Sequence, residues 1–138
     1  MAAFRRAAEH GYGIELDVQL TRDGQVIVAH DYDLKRICGI EKEIDSLTYK
    51  ELSHFPILGT EERIPLLEDV LKLVNGQVPL IVEIKYKHLG STICKKTAEL
   101  LDHYSGSFCI EVLPSGSSDL VSKIPPICVP WTAWNEFP

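Results

Sequence analysis

Hydrophobic and polar residues alternate along the chain in blocks that predict strands as well as helices. Residues 13–20, GIELDVQL, place apolar side chains on one face and Glu15, Asp17 and Gln19 on the other. This strict alternation is typical of a β-strand that buries one face. The next four residues, TRDG, have turn chemistry, and residues 25–31, QVIVAHD, predict a second apolar strand.

Helices are predicted where apolar residues recur at helical spacing or where helix formers are concentrated. Gly11 and the pair Asn75 and Gly76 are typical residues for ending such helices. The predicted helices span residues 2–10, 66–74 and about 92–104, with one helical turn around 48–52. The rest of residues 34–59 is a loose mixture of short polar and apolar pieces, which predicts an excursion on the surface.

The apolar run PLIVEIK, residues 79–85, and a shorter strand over residues 107–111 complete an alternation of strands and helices. Short turns between such elements predict parallel βα units, which fit a doubly wound sheet or a (β/α)8 barrel. Polar residues at the carboxyl ends of several strands favour the barrel, because barrel enzymes assemble their sites there. A full barrel needs about 250 residues. The sequence therefore predicts an α/β fold with an incomplete TIM (β/α)8 barrel.

Ionisable residues follow the apolar part of three predicted strands. They are Glu15 with Asp17, His30 with Asp31, and Glu83 with Lys85. Each pair taken singly is also typical of a solvated strand face or a turn. Three carboxylates together are oxygen ligands suited to a hard cation such as Ca²⁺ or Mg²⁺. A histidine beside that cation can move a proton near neutral pH, and a lysine can offset the charge of a phosphate.

Composition and charge exclude several classes of function. The chain has 138 residues, of which 45% are hydrophobic and 25% charged, as expected for one globular domain. Its net charge of -6 argues against a nucleic-acid partner or an anionic membrane surface. No apolar run is long enough to cross a bilayer and the basic start lacks an apolar signal region, so we predict no integral membrane segment and a cytoplasmic location.

The cysteines argue against two further kinds of site. Their wide, irregular spacing supports neither a zinc cluster nor a disulfide framework, and free thiols are expected. The four cysteines are Cys38, Cys94, Cys109 and Cys128. The sequence does not indicate an oligomeric state.

Five short motifs together resemble the glycerophosphodiester phosphodiesterase family. They are E-L-D-V, T-x-D-G, V-x-H-D, I-P-x-L-E and E-I-K, and they occur in the family's order and spacing between Met1 and about Glu111. Any one of them alone is a weak signal, and their order carries the resemblance. It implies a barrel of the phospholipase-C-like phosphodiesterase type.

The resemblance also implies a role for each matching residue. Glu15, Asp17 and Glu83 match metal ligands of the family. Lys85 matches a lysine near the substrate phosphate, and His30 matches one of two catalytic histidines. The implied activity is hydrolysis of a small-molecule glycerophosphodiester to an alcohol and glycerol 3-phosphate, with Ca²⁺ or Mg²⁺ as the cation. Two alternatives stay open: a phospholipase of the related sphingomyelin- or phosphatidylinositol-cleaving barrel group, and a non-catalytic fragment or pseudogene product.

The start of the chain departs from the family pattern. The family opens with an H-R-G strand and a P-E-N-T segment, which supply a second histidine, an arginine and a further glutamate, and this sequence has neither. We therefore expect Met1 to be an internal start or a truncation point and the activity of this chain to be impaired. The remaining histidines are expected to be structural: His10, His54, His88 and His103.

The end of the chain departs more abruptly. Residues 112–138 contain five of the eight prolines and both tryptophans, and they lack helical or strand periodicity. In one permissible coding string, deleting a single nucleotide after the codon of Glu111 restores the family's serine-phenylalanine-x-proline motif. We therefore expect a partial phosphodiesterase domain over residues 1–111 and an irregular, frameshifted tail over residues 112–138. A genuinely divergent tail is the alternative.

Overall fold

The computed structural model describes residues 1–85 and 91–112, and in this part of the chain helices flank a four-stranded sheet. The strands are β1 (Ile14–Leu20), β2 (Val26–Val28), β3 (Leu80–Ile84) and β4 (Phe108–Glu111). The helices are α1 (Ala2–Glu9), α2 (Lys35–Cys38), α3 (Tyr49–Leu52), α4 (Leu67–Val74) and α5 (Ser91–Asp102), with a 3-10 turn at Ile44–Ser46.

Local sequence signals account for most of these elements. The predicted strand over residues 13–20 is confirmed as β1, and the predicted helix over residues 66–74 is confirmed as α4. Helix α4 ends at Asn75, whose φ of 46° lies in the left-handed region. The predicted turn around residues 48–52 is confirmed as α3, and a reciprocal capping box between Thr48 and Glu51 begins it.

The sheet order is β2-β1-β3-β4, and β1, β3 and β4 run parallel. The parallel βα units predicted from the sequence are therefore confirmed for these three strands. The prediction that His30 also ends a parallel strand is wrong, because β2 runs antiparallel to β1 and pairs Val28 with Val18. The reason lies in the turn: a parallel crossover needs about a dozen residues or more, and TRDG supplies four.

Apolar side chains form two cores, and the first lies on one face of the sheet. There the buried residues of β1 and β3, such as Leu16, Val18 and Val82, pack against apolar residues of α1, α4 and α5. The opposite face carries the ionisable residues of β1 and β3, as the strand period of two requires. The first core therefore fixes the position of β1 and β3 by packing against the face of the sheet opposite the candidate site.

The second core lies mostly in residues 34–59, for which the sequence predicts an excursion on the surface. Leu34, Ile44 and Leu52 are fully buried there and pack around Ile27 of β2. The prediction of a surface excursion is therefore wrong. Its short helical pieces are too brief to show a period, so their apolar residues looked scattered in the sequence.

Several predictions concern residues outside the described ranges. These are His88, Cys128 and the irregular tail from residue 113 onward, and the boundary between residues 111 and 112 stays a prediction. Within the described ranges, Cys38, Cys94 and Cys109 form no disulfide bond. None of the helices of this part of the chain has the length and hydropathy that a membrane span requires.

Candidate metal centre

Three carboxylates meet on the ionisable face of the sheet. The parallel register pairs Asp17 of β1 with Glu83 of β3, and Glu15 lies one pleat earlier on the same face of β1. One oxygen from each of these three residues lies within 4.8 Å of the other two. The structure thus brings together the three carboxylates singled out from the sequence, and we call Glu15, Asp17 and Glu83 the acid cluster.

Lys85 contacts two members of the acid cluster. Its ammonium nitrogen is 2.9 Å from Asp17 Oδ1 and 3.3 Å from Glu83 Oε1, and its side chain is 14% exposed. The contact with Glu83 is a hydrogen bond. The contact with Asp17 is short enough for an ion pair but lacks hydrogen-bond geometry, so Asp17 Oδ1 is a buried oxygen that accepts no hydrogen bond. This oxygen keeps a lone pair for another ligand.

The charges in the acid cluster are not balanced. Burial raises the pKa of Glu15, and the neighbouring Asp17 and Glu83 raise it further. The pKa of Lys85 is lowered by burial, but the close contacts with Asp17 and Glu83 and the negative charges of these two carboxylates outweigh this effect and raise it overall. Glu111 of β4, which pairs with Glu83 in the register, adds another negative charge near Glu15. One ammonium group therefore faces an excess of carboxylates.

A hard divalent cation fits this arrangement. Ca²⁺ binds oxygen ligands at about 2.3–2.6 Å, so two ligand oxygens on opposite sides of one ion are separated by about 5 Å. The three carboxylate oxygens fall within that span at 4.8 Å or less. Their chemistry and the excess negative charge suit such an ion, which would be held by the acid cluster, and Asp17 Oδ1 accepts no hydrogen bond despite its ion pair with Lys85.

The raised pKa of Glu15 leads to a prediction about Glu15→Gln. A carboxyl group with a raised folded pKa makes the fold less stable as the pH rises from its ordinary value of 4.5 through the folded value. At about pH 7 the ionised Glu15 therefore destabilises the metal-free chain. Glu15→Gln is expected to raise the melting temperature in a chelator slightly, since solvent screens this exposed side chain, while it weakens binding of Ca²⁺ and Mg²⁺.

Thermal unfolding in EDTA and calorimetric metal titration measure these two opposite effects. Glu99→Gln, the same change at an exposed position on α5, is the matched control and should alter neither quantity. A lower melting temperature for Glu15→Gln in EDTA would contradict the electrostatic account.

His30 is not a member of the acid cluster, although its backbone follows a residue that binds β1. The amide of Ala29 donates a hydrogen bond of 3.0 Å to the carbonyl of Asp17, which places the end of β2 next to the cluster. The imidazole is 67% exposed, and its Nδ1 lies 2.9 Å from Asp31 Oδ1. The hairpin thus places the backbone of His30 next to β1, although β2 runs antiparallel to β1.

Sequence reasoning missed two residues that contact the His30 segment. Gln19 donates hydrogen bonds to backbone carbonyls there, and Arg36 forms a two-point ion pair with Asp31 at 2.6 and 2.9 Å. Arg36 and, secondly, His30 lower the pKa of Asp31 to about 2. Gln19 carried a usable signal, because it continues the polar face of β1 after Glu15 and Asp17. No signal in the sequence identified Arg36.

A groove of about 590 Å³ lies away from the acid cluster, between α4 and α5. Its walls include Glu68 and Lys72, which pair with each other at 2.6 Å, together with Lys96. Residues of the acid cluster do not line it. The candidate chemistry of the described chain is therefore on the ionisable face of the sheet.

Comparison with known proteins identifies relatives of the chain. The model of the glycerophosphoryl diester phosphodiesterase family matches residues 1–108. Lysophospholipase D GDPD1 of Rattus norvegicus is 32% identical over 136 residues, which cover 89% of this chain and 42% of that protein. The crystal structure of glycerophosphodiester phosphodiesterase from Thermotoga maritima is similar with a TM-score of 0.69 and 31% identity, over 80% of this chain and 46% of that one.

A third relative shares the fold. The structure of an Oleispira antarctica phosphodiesterase in complex with the product sn-glycerol-3-phosphate has a TM-score of 0.75 and 21% identity, over 83% of this chain and 51% of that one. The chain spans about half the length of these relatives. The predicted fold class is confirmed, since the sheet corresponds to part of the TIM barrel of these enzymes. The family match over residues 1–108 shows that the chain belongs to the glycerophosphodiester phosphodiesterase family.

Proposed function

We propose that the protein containing this chain hydrolyses small-molecule glycerophosphodiesters to an alcohol and glycerol 3-phosphate, with Ca²⁺ or Mg²⁺ as cofactor. The acid cluster carries this proposal, because its three carboxylates converge within 4.8 Å on one face of the sheet beside Lys85. The names of the relatives agree with the substrate class. The product bound to the Oleispira antarctica enzyme supports glycerol 3-phosphate as the product here.

The acid cluster and Lys85 have different roles in binding: the cluster binds the cation, and Lys85 interacts with the substrate phosphate. Glu15, Asp17 and Glu83 would hold the cation, which would supply Lewis-acid polarisation of the phosphodiester. Lys85 lies within 3.3 Å of two of these ligands, so its ammonium adds a positive charge beside the phosphate oxygens. Together these groups draw an anionic substrate to a site that is otherwise strongly acidic.

His30 supplies proton transfer. In the hydrolysis, a water oxygen bonds to phosphorus, the bond from phosphorus to the alcohol oxygen breaks, and the alcohol leaves with a proton. The imidazole of His30 is exposed and follows Ala29, whose amide binds the backbone carbonyl of Asp17. Its Nε2 takes a proton from the attacking water or returns one to the leaving alcohol, and histidine does so readily near neutral pH.

His30→Ala is expected to lower kcat by about 10²–10⁴-fold, the usual contribution of general acid or base catalysis. Binding of Ca²⁺ and Mg²⁺ should stay unchanged, because His30 is not part of the acid cluster. Release of glycerol 3-phosphate from glycerophosphocholine measures the first effect and calorimetry the second. His54→Ala, at an exposed turn, is the control.

Full activity of His30→Ala would remove this residue from the mechanism. Absence of hydrolysis by the unchanged protein, with every divalent cation tested, would favour the non-catalytic alternative instead.

A lysophospholipase D activity is the second candidate, because a relative with that name is 32% identical. A lysophospholipid is a glycerophosphodiester that retains one acyl chain, so the same groups would act on the same kind of bond. Comparing kcat/KM for glycerophosphocholine and lysophosphatidylcholine separates the two candidates. Sphingomyelin and phosphatidylinositol in the same assay test the remaining phospholipase alternative. The cytoplasmic location stays a prediction from the sequence.

A further inference from the structure

Gln19 is a buried amide on the ionisable face of β1, with 5% of its surface exposed. Its Nε2 donates to the backbone carbonyls of Ala29 at 2.7 Å, His30 at 3.2 Å and Asp31 at 2.8 Å. An amide nitrogen has two hydrogens, so one of them is shared between two acceptors. A single side chain of β1 thus holds three consecutive carbonyls of the segment that follows β2.

Residues 29–31 lie beyond the paired part of β2, so their backbone carbonyls need hydrogen-bond donors from outside the sheet. The last ladder-type bond between the two strands runs from the Ala29 amide to the Asp17 carbonyl. Beyond it, the Gln19 amide takes the place of a neighbouring strand for residues 29–31. Buried carbonyls without a donor are costly, so removal of the amide should release the segment.

The imidazole of His30 is fixed by a second set of contacts. Arg36 binds both oxygens of Asp31 and keeps this carboxylate ionised, so Asp31 can only accept hydrogen bonds. The 2.9 Å contact between Asp31 Oδ1 and His30 Nδ1 then requires the proton on Nδ1. The lone pair is left on Nε2 of a side chain that is 67% exposed.

We propose that Gln19, Asp31 and Arg36 form a positioning cluster that holds His30 as the Nδ1–H tautomer, with Nε2 available as a proton acceptor. Gln19 fixes the backbone, Asp31 selects the tautomer and Arg36 holds Asp31. The catalytic meaning of this cluster rests on the proposed function, whereas the tautomer and its dependence on the three residues do not.

Nitrogen NMR of the ¹⁵N-histidine-labelled chain tests the proposal at about pH 8, above the ordinary titration range of histidine. His30→Ala assigns the His30 signals. In the unchanged chain, Nδ1 should show the shift of a protonated nitrogen and Nε2 that of an unprotonated one. Asp31→Asn should change the ratio of the two tautomers by about 10-fold or more toward Nε2–H, since hydrogen bonds to charged groups are the stronger ones.

Gln19→Met keeps the side-chain length but removes the donors, and it is expected to move the His30 tautomer ratio toward that of free histidine. Gln77→Met makes the same change at an exposed glutamine and should leave the ratio unchanged. Val74→Ala, a cavity variant in the first core, controls for general loss of stability and should also leave it unchanged.

Unprotonated Nδ1 in the unchanged chain would overturn the proposal. So would a His30 ratio that Gln19→Met leaves unaltered or that Val74→Ala alters equally. A failure of the proposed function would look different. His30→Ala would then hydrolyse the substrate as fast as the unchanged protein, while the unchanged protein would still show the Nδ1–H tautomer of His30.

Discussion

Asp17→Asn is expected to lower the affinity for Ca²⁺ and Mg²⁺ by at least about 100-fold, beyond the 10–100-fold typical of residues that only support metal ligands. Asp17 is the most buried member of the acid cluster, at 8% exposure, and its Oδ1 accepts no hydrogen bond. The amide removes one negative charge from the cluster, and charge count strongly influences the affinity of such sites. Calorimetric titration of the metal-free protein measures the change.

The matched control for this experiment is Asp102→Asn. It makes the same chemical change at the exposed end of α5, and its affinity should equal that of the unchanged protein. Thermal unfolding in EDTA verifies that Asp17→Asn is folded during the titration. A folded Asp17→Asn variant that binds both cations normally would show that the acid cluster is not the metal site.

The acid cluster could be predicted from the sequence because two local rules suffice to build it. Alternation in β1 puts Glu15 and Asp17 on one face whatever the tertiary structure is. The apolar run that ends in Glu83 predicts a neighbouring parallel strand, and parallel register then places Glu83 beside Asp17. Neither rule depends on the path of the chain between the strands.

The surroundings of His30 could not be predicted in this way. The orientation of β2 follows from the length of its turn, but the βα pattern of the rest of the chain favours the opposite orientation. The contacts of Gln19 with residues 29–31 depend on the backbone path after β2. Side-chain contacts of this kind arise only when the tertiary structure is complete, so they leave no period in the sequence.

Lys85→Met is expected to destabilise the metal-free protein by about 3 kcal/mol, the lower end of the 3–5 kcal/mol typical when one partner of a buried ion pair is removed. The lower end applies because the three side chains involved are 10–16% exposed. The variant leaves the carboxylates of Asp17 and Glu83 close together without the ammonium group of Lys85. Thermal or urea unfolding in EDTA measures the loss.

The pH dependence has a defined sign. Because the folded pKa of Lys85 is raised, its stabilising contribution is complete below the ordinary value of 10.5 and is lost as the pH rises through the higher folded value. The deficit of Lys85→Met is therefore expected to be fully present at neutral pH and to shrink as the pH rises above 10.5 through the folded pKa of Lys85.

A divalent cation should reverse much of this deficit, and the reversal distinguishes an electrostatic role of Lys85 from simple packing. A ligand at 100 times its dissociation constant stabilises a fold by about 2.7 kcal/mol, and Lys85→Met should gain more than the unchanged protein at equal cation concentration because its carboxylates have lost their ammonium partner. Lys72→Met removes an exposed pair with Glu68 on α4 and should change the stability little, with no response to metal. Equal stabilisation of Lys85→Met and the unchanged protein by Ca²⁺ and Mg²⁺ would mean that Lys85 does not compete with a cation for the acid cluster.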